Sequence, residues 1–299
     1  VAALVFALLV LTGALRLVED ASPLIRACCS LLVFIIYIGM LAAWALSVRR
    51  RMMHSHIRGY LLATAGLMLL WIFLRTIKHR PFDSIDFAAR WLWYGYYIPM
   101  ILIPLLSFFA ALCLSKPENW RPRRKYALLF IPAAALILGV LTNDHHQLAF
   151  SFAPGYVNVN SPYTHRILYY LVAFWMAGFF LLTLWLLFKK SHIPHTKKRV
   201  WMPLAVMGIA VVYTILYDID NSETGVGFIE MTAMLCALLV GLWESCIQTG
   251  LLPSNTKYGA FFDASPLAAQ IVDENGSAHY SSRLSEPVSP EMFEQYISP

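Results

Sequence analysis

The stretch Ser30-Leu31-Leu32-Val33-Phe34-Ile35-Ile36-Tyr37-Ile38-Gly39-Met40-Leu41-Ala42-Ala43-Trp44-Ala45-Leu46-Ser47-Val48-Arg49-Arg50-Arg51 decides the fold. Its apolar part has about the length a helix needs to cross a bilayer, and three arginines close it. The pattern recurs. Apolar blocks occupy 1–18, 24–48, 57–78, 91–114, 126–142, 166–188, 200–217 and 226–247, and hydrophobic residues make up 59% of the 299 against 13% charged. A segment surrounded by lipid must satisfy its own backbone hydrogen bonds, so it is either a helix or part of a closed barrel. Continuous rather than alternating apolar runs select helices. The chain is expected to be an all-α polytopic membrane bundle of seven to eight transmembrane helices. The first block is short, opens without Met and lacks the basic leader of a signal peptide, so residues 1–23 read as an extra helix and loop.

Basic residues gather in alternate gaps. Arg49, Arg50, Arg51 and Arg58 form one group, Lys116, Arg121, Arg123, Arg124 and Lys125 the next, and Lys189, Lys190, Lys197, Lys198 and Arg199 the last. The other gaps hold Glu19, Asp20, Asp83, Asp86, Asp144, Asp218, Asp220 and Glu223. The positive-inside rule puts the basic loops, and the tail after 247, in the cytoplasm. The net charge of +6 follows from this topology and from anionic lipid; it calls for no nucleic acid. The five cysteines lie in or at the ends of apolar blocks with no metal-site spacing, as small core residues do.

The character changes after 247. In the junction 248–257, Gly250 and Pro253 both oppose a helix, so the last span should stop there. In 258–299, Leu267–Val272 reads as a strand, Asp273-Glu274-Asn275-Gly276 as a turn, and Ala278–Ser281 as a returning strand, the sign of a short, truncated α+β segment. The long loop from 142 to 166 carries Pro154-Gly155, Val157, Val159 and Ser161-Pro162, and is expected to form a small hairpin or lid.

Three elements, taken together, carry a resemblance. Thr142-Asn143-Asp144-His145-His146 closes one apolar helix. Seven spans lie within 24–247. The tail reads Gly250-Leu251-Leu252-Pro253-Ser254-Asn255, then Phe261-Phe262, Ser265 and Gln270-Ile271-Val272-Asp273 with Gly276. The arrangement resembles the seven-helix N-terminal sensor region of bacterial membrane histidine kinases, with the beginning of a PAS-like cytoplasmic segment. The resemblance implies a two-component sensor in the bacterial plasma membrane. A longer parent would be a homodimer using ATP and Mg on its way to a response regulator. No phosphoacceptor histidine environment, nucleotide box or ATP lid is present in this chain, so no catalytic residue, cofactor or metal is expected in it, and the output domain would lie outside it.

Polar residues inside the greasy blocks are the candidates for binding an unknown small-molecule or membrane stimulus. Arg75, with Lys78 and His79 on its helix face, either snorkels to head groups or meets a ligand or counter-ion. Glu230, one turn into the last span, and Asp218, with Tyr213 and Tyr217 a turn away, offer partners or a shared cavity. Trp91, Trp93, Tyr94, Tyr96 and Tyr97 read either as an interfacial belt or, for Tyr94 and Tyr97, as pocket walls. Asn143 is expected to cap backbone groups and His145 to bond to a loop; a metal at Asp144, His145, His146 and His165 is the weaker reading. Pro99 and Pro104 should kink one helix. Signal transmission would pass along Glu244, Gly250, Pro253 and Asn255. No Walker A, H-E-x-x-H or G-x-S-x-G motif is present. A small-solute transporter or channel is the alternative to a sensor, although internal repeats and midplane charges are missing.

Overall fold

The computed structural model describes residues 2–16, 22–52, 54–78, 86–113, 120, 124–152, 163–190, 201–219, 230–249, 252, 270–272 and 278–281. Each apolar block is helical: α1 Ala2–Arg16, α2 Pro23–Arg51, α3 Ser55–Lys78, α4 Asp86–Gly95, α5 Tyr97–Cys113, α6 Arg124–Ala127, α7 Phe130–Leu141, α8 Asn143–His146, α9 Ile167–Lys190, α10 Trp201–Ile219 and α11 Met231–Thr249. Two two-stranded sheets complete the set, β1 Phe150–Phe152 with β2 Tyr163–His165, and β3 Gln270–Val272 with β4 Ala278–Ser281.

Six helical segments are long and apolar enough to span a bilayer: Ala27–Arg51, Ser55–Lys78, Ala88–Cys113, Arg124–Leu141, Ile167–Lys189 and Met231–Thr249. Two further apolar helices, Leu4–Arg16 and Trp201–Thr214, are shorter. The expected count of seven to eight therefore resolves into six full-length helices and two short ones among the described residues. The first block is helical for only 15 residues.

The chain divides into two compact units, Val1–Arg50 with His54–Leu252, and Arg51–Met53 with Pro253–Pro299. In the first unit, α5 is the central helix: it packs on α3 along one side and on α9 along the other, and Ile101, Leu105, Ala110 and Cys113 are fully buried. Phe108 meets Phe179 of α9 edge-on at 5.3 Å, and Phe109 stacks on Tyr60 of α3 at 5.6 Å. The outer surface is apolar too, with Phe174 78% exposed beside Leu181, Trp185 and Ile131. Water would penalise such a face; lipid does not. The short α1 joins the bundle through Thr12, whose hydroxyl accepts from Tyr37 of α2 at 3.0 Å and donates to Leu9 O at 2.8 Å. Helices α7 and α9 approach closely because Gly139 has no side chain. A Cβ there would lie 2.9 Å from Leu168 Cδ2.

The 91–114 block does not form one continuous helix. It breaks at Tyr96, where Tyr96 N–H turns back to Trp93 O at 3.1 Å. Pro99 is the cause: it has no N–H for the Gly95 carbonyl, and its ring crowds that carbonyl. Pro104 stays within α5 and removes the partner of the Met100 carbonyl. One residue on, the indole Nε1–H of Trp175 on α9 donates to Ile101 O at 3.1 Å. A side chain from a neighbouring helix thus binds the backbone beside the proline.

In the second unit, β3 and β4 pair antiparallel, Gln270 opposite Ser281 and Ile271 opposite Tyr280, with a register irregularity between Ile271 and Val272. Gln270 Nε2 donates to Ser281 Oγ at 2.9 Å. The expected hairpin is present over these residues. Its Leu267 start and its turn lie outside the described residues.

Candidate functional site at one end of the bundle

One end of the bundle brings together the close of α3, the α4–α5 break, α8, the β1–β2 hairpin and the start of α11. Two polar clusters form there.

The first is an ion pair between the Arg75 guanidinium on α3 and the Glu230 carboxylate, both largely buried. Glu230 is not a turn inside the helix, as its apolar surroundings suggest; it directly precedes Met231, and its carbonyl receives Met234 N–H at 2.9 Å as the first turn of α11 forms. Thr232 hydrogen-bonds the same carboxylate, and the Arg16 charge acts on it as well. Both members of the pair act electrostatically on the hydroxyls of Tyr37 and Tyr96. The pair fastens two elements about 150 residues apart in sequence at their shared end. Tyr217 stands on α10 with its ring 6.1 Å from that of Tyr213. Asp218 lies in α10, but its side chain falls outside the described residues.

The second cluster centres on Asn143, fully buried at the start of α8. Its Oδ1 accepts from Ala149 N at 2.8 Å and from Phe150 N at 3.1 Å; its Nδ2 donates to Phe150 O at 2.9 Å and to Tyr94 OH at 3.3 Å. One side-chain amide thus satisfies the backbone that leads into β1, the capping role expected of it, directed to the hairpin rather than the helix end. Asp144 next to it accepts from Tyr94 OH at 2.7 Å and lies 3.0 Å from Arg90 Nη2. Phe150 plugs the space below, ringed by Trp93 at 4.5 Å, Tyr163 at 5.5 Å, Tyr97 at 5.7 Å and Tyr169 at 5.8 Å, with Tyr94 stacked at 6.3 Å. The interfacial-belt reading therefore suits only Trp91, which is 41% exposed. Trp93, Tyr94 and Tyr97 share the helix face that turns inward onto Phe150.

The two histidines exchange roles relative to expectation. His145 is exposed and its ring takes no hydrogen bond among the described residues. His146 binds the loop instead: Leu148 N–H donates to its Nδ1 at 3.0 Å, and its Nε2 lies 3.3 Å from Thr142 Oγ1. The Thr142 hydroxyl proton is directed at Leu138 O at 2.7 Å, so the Nε2–H is the donor in the His146 contact. His165 stacks on Tyr169 at 3.9 Å. No group of three metal-ligand side chains exists among the described residues. Between His145 and Arg166 the surface opens into a groove of about 620 Å³, lined also by Gln147 and Ser151.

Of the residues assigned to transmission, Pro99 and Pro104 flank the break and the start of α5, and Glu244 lies on α11 accepting from Gln248 Nε2 at 3.3 Å. Gly250, Pro253 and Asn255 lie outside the described residues; α11 itself ends at Thr249. The sequence gave no warning of Arg90, Phe150 or Trp175. Arg90 one turn ahead of an aromatic cluster was the only local sign.

Long apolar helices with a lipid-facing surface and a polar cluster at one end define a polytopic helical membrane protein. The sequence profile described as the N-terminal 7TM region of histidine kinase matches residues 30–244. The chain belongs to that family, as the residues around Asn143 and the spacing of the spans had led us to expect. No curated protein and no solved structure matches it.

Proposed function

We propose that this chain is the stimulus-receiving region of a two-component histidine kinase in the bacterial plasma membrane, with its basic loops and tail cytoplasmic. The Arg75–Glu230 pair is the observation that carries the reading. It ties the close of α3 to the first turn of α11, the helix that leads toward the tail. A stimulus shifts a two-state bundle only by its differential affinity for the two states. A ligand that competes for Arg75 or Glu230 would bias α11 directly. The break at Tyr96, a few residues from Asn143, would let α4 and the outer hairpin move relative to α5. The tail hairpin supports the start of a PAS-like segment that relays the movement, and the parent acts as a homodimer on a response regulator.

The test uses the full-length kinase in membrane vesicles, read by autophosphorylation with and without stimulus-bearing growth medium extract. Inserting one residue between Gln248 and Asn255 turns a continuing helix by about 100°. Loss of the stimulus response, with kinase activity itself retained, is expected. Unchanged responsiveness would overturn the transmission route. Arg75→Gln is expected to shift the basal phosphorylation level in the unstimulated state.

A further inference from the structure

We propose that the groove beside the β1–β2 hairpin is a binding site for a phosphate group, separate from the Arg75–Glu230 pair and independent of the sensing role. The groove of about 620 Å³ is lined by His145, His146, Gln147, Ser151 and Arg166. Its hydrogen-bond network leaves donors facing inward. Arg166 Nη2 donates to Ser151 Oγ at 3.4 Å, and Ser151 Oγ in turn lies 3.4 Å from Gln147 Oε1. Gln147 Oε1 also accepts Phe152 N–H at 3.3 Å, so its amide NH2 is left for the groove. His146 spends both ring nitrogens on the loop, as described above. The donors for a guest are therefore the rest of the Arg166 guanidinium, the Gln147 amide and the His145 ring.

No acceptor of matching charge is at hand. Asp144 is the only carboxylate between 143 and 166, and it is held by Tyr94 and Arg90. Arg166 is exposed and has no carboxylate partner among the described residues. A planar guanidinium with flanking neutral donors suits a tetrahedral oxyanion, which accepts several bonds at once. The groove also has an apolar edge, with Leu148 50% and Ile167 62% exposed. Ile167 opens a membrane-crossing helix, so the site lies where lipid head groups meet water. The phosphate can therefore belong to a lipid or to a soluble solute, and the two sources are separable by experiment.

The purified chain is placed in nanodiscs of phosphatidylcholine alone or with phosphatidylglycerol added. Native mass spectrometry counts retained phosphatidylglycerol, and calorimetry follows inorganic phosphate added to the phosphatidylcholine discs. Arg166→Gln is expected to weaken whichever probe binds by about tenfold, and Arg166→Lys by less, because one point charge replaces a fork. Selective retention of phosphatidylglycerol assigns the lipid source; calorimetric binding of phosphate assigns the soluble one. Arg166 is exposed, so its variants should fold, and circular dichroism checks this. The proposal is overturned if neither probe binds the unaltered chain. It is equally overturned if Arg166→Gln with His145→Gln leaves binding intact, or if the exposed Arg49→Gln weakens it as much as Arg166→Gln does.

Discussion

The Arg75–Glu230 pair and the Asn143 cluster lie at the same end of the bundle and are built in opposite ways. Asn143 is neutral, and every polar atom of its amide has a partner within a dozen residues or on the adjoining α4. It closes a loop locally and can do little else. The ion pair joins two charges from distant helices, and each has only its counterpart and a few hydroxyls to offset desolvation. Such a pair is bistable by construction: together the charges are stable, and apart each needs a new partner or water. The difference separates an architectural node from one able to switch.

The largest effect is expected at the pair. Glu230→Met alone leaves the Arg75 charge buried without its partner and should destabilise the bundle by about 3–5 kcal/mol. Arg75→Met with Glu230→Met removes the desolvation cost on both sides and should recover most of that loss. Unfolding in mixed micelles followed by circular dichroism supplies the cycle. Additive single-variant losses with no recovery in the double variant would remove the distinction between the nodes.

Asn143 tests the other side. Asn143→Ala strands two backbone N–H groups and one carbonyl in a buried site, which should cost on the order of 2–3 kcal/mol. Asn143→Asp is the sharper probe, because it keeps the shape. It retains the acceptor for Ala149 and Phe150 but sets a carboxylate oxygen against Phe150 O, where Nδ2 now donates at 2.9 Å. Both variants should lose stability in the same assay, and no second substitution at a distant helix should restore it.

What the sequence made legible follows the same division. Helices were readable because lipid imposes long apolar runs, and the ion pair because Arg75 and Glu230 interrupt such runs. Asn143 was readable in its local role, since a side-chain amide after an apolar helix has few other uses. The proline break was readable because Pro99 acts on its own backbone. The Phe150 plug was not readable: Trp93, Tyr97, Tyr163 and Tyr169 come from separate segments, and each alone looks like an interfacial aromatic. The exchange between His145 and His146 was equally hidden, because it depends on which ring α8 turns toward Thr142. The Arg90–Asp144 pair joins loop residues about fifty positions apart, and nothing in either neighbourhood selects the other.

Tyr94 links the two kinds of chemistry and gives the smallest expected effect. Its hydroxyl donates to the Asp144 carboxylate and accepts from Asn143, while its ring stacks on Phe150. Tyr94→Phe keeps the ring and removes only the hydroxyl. Asp144 keeps Arg90 and Asn143 Nδ2 keeps Phe150 O, so no group is left wholly stranded. The loss should be about 1 kcal/mol, below that of Asn143→Ala. A loss as large as that of Asn143→Ala would mean that the hydroxyl organises the whole node. In that case the cluster would depend on the Asp144 charge, and its contrast with the ion pair would narrow from a difference of kind to one of degree.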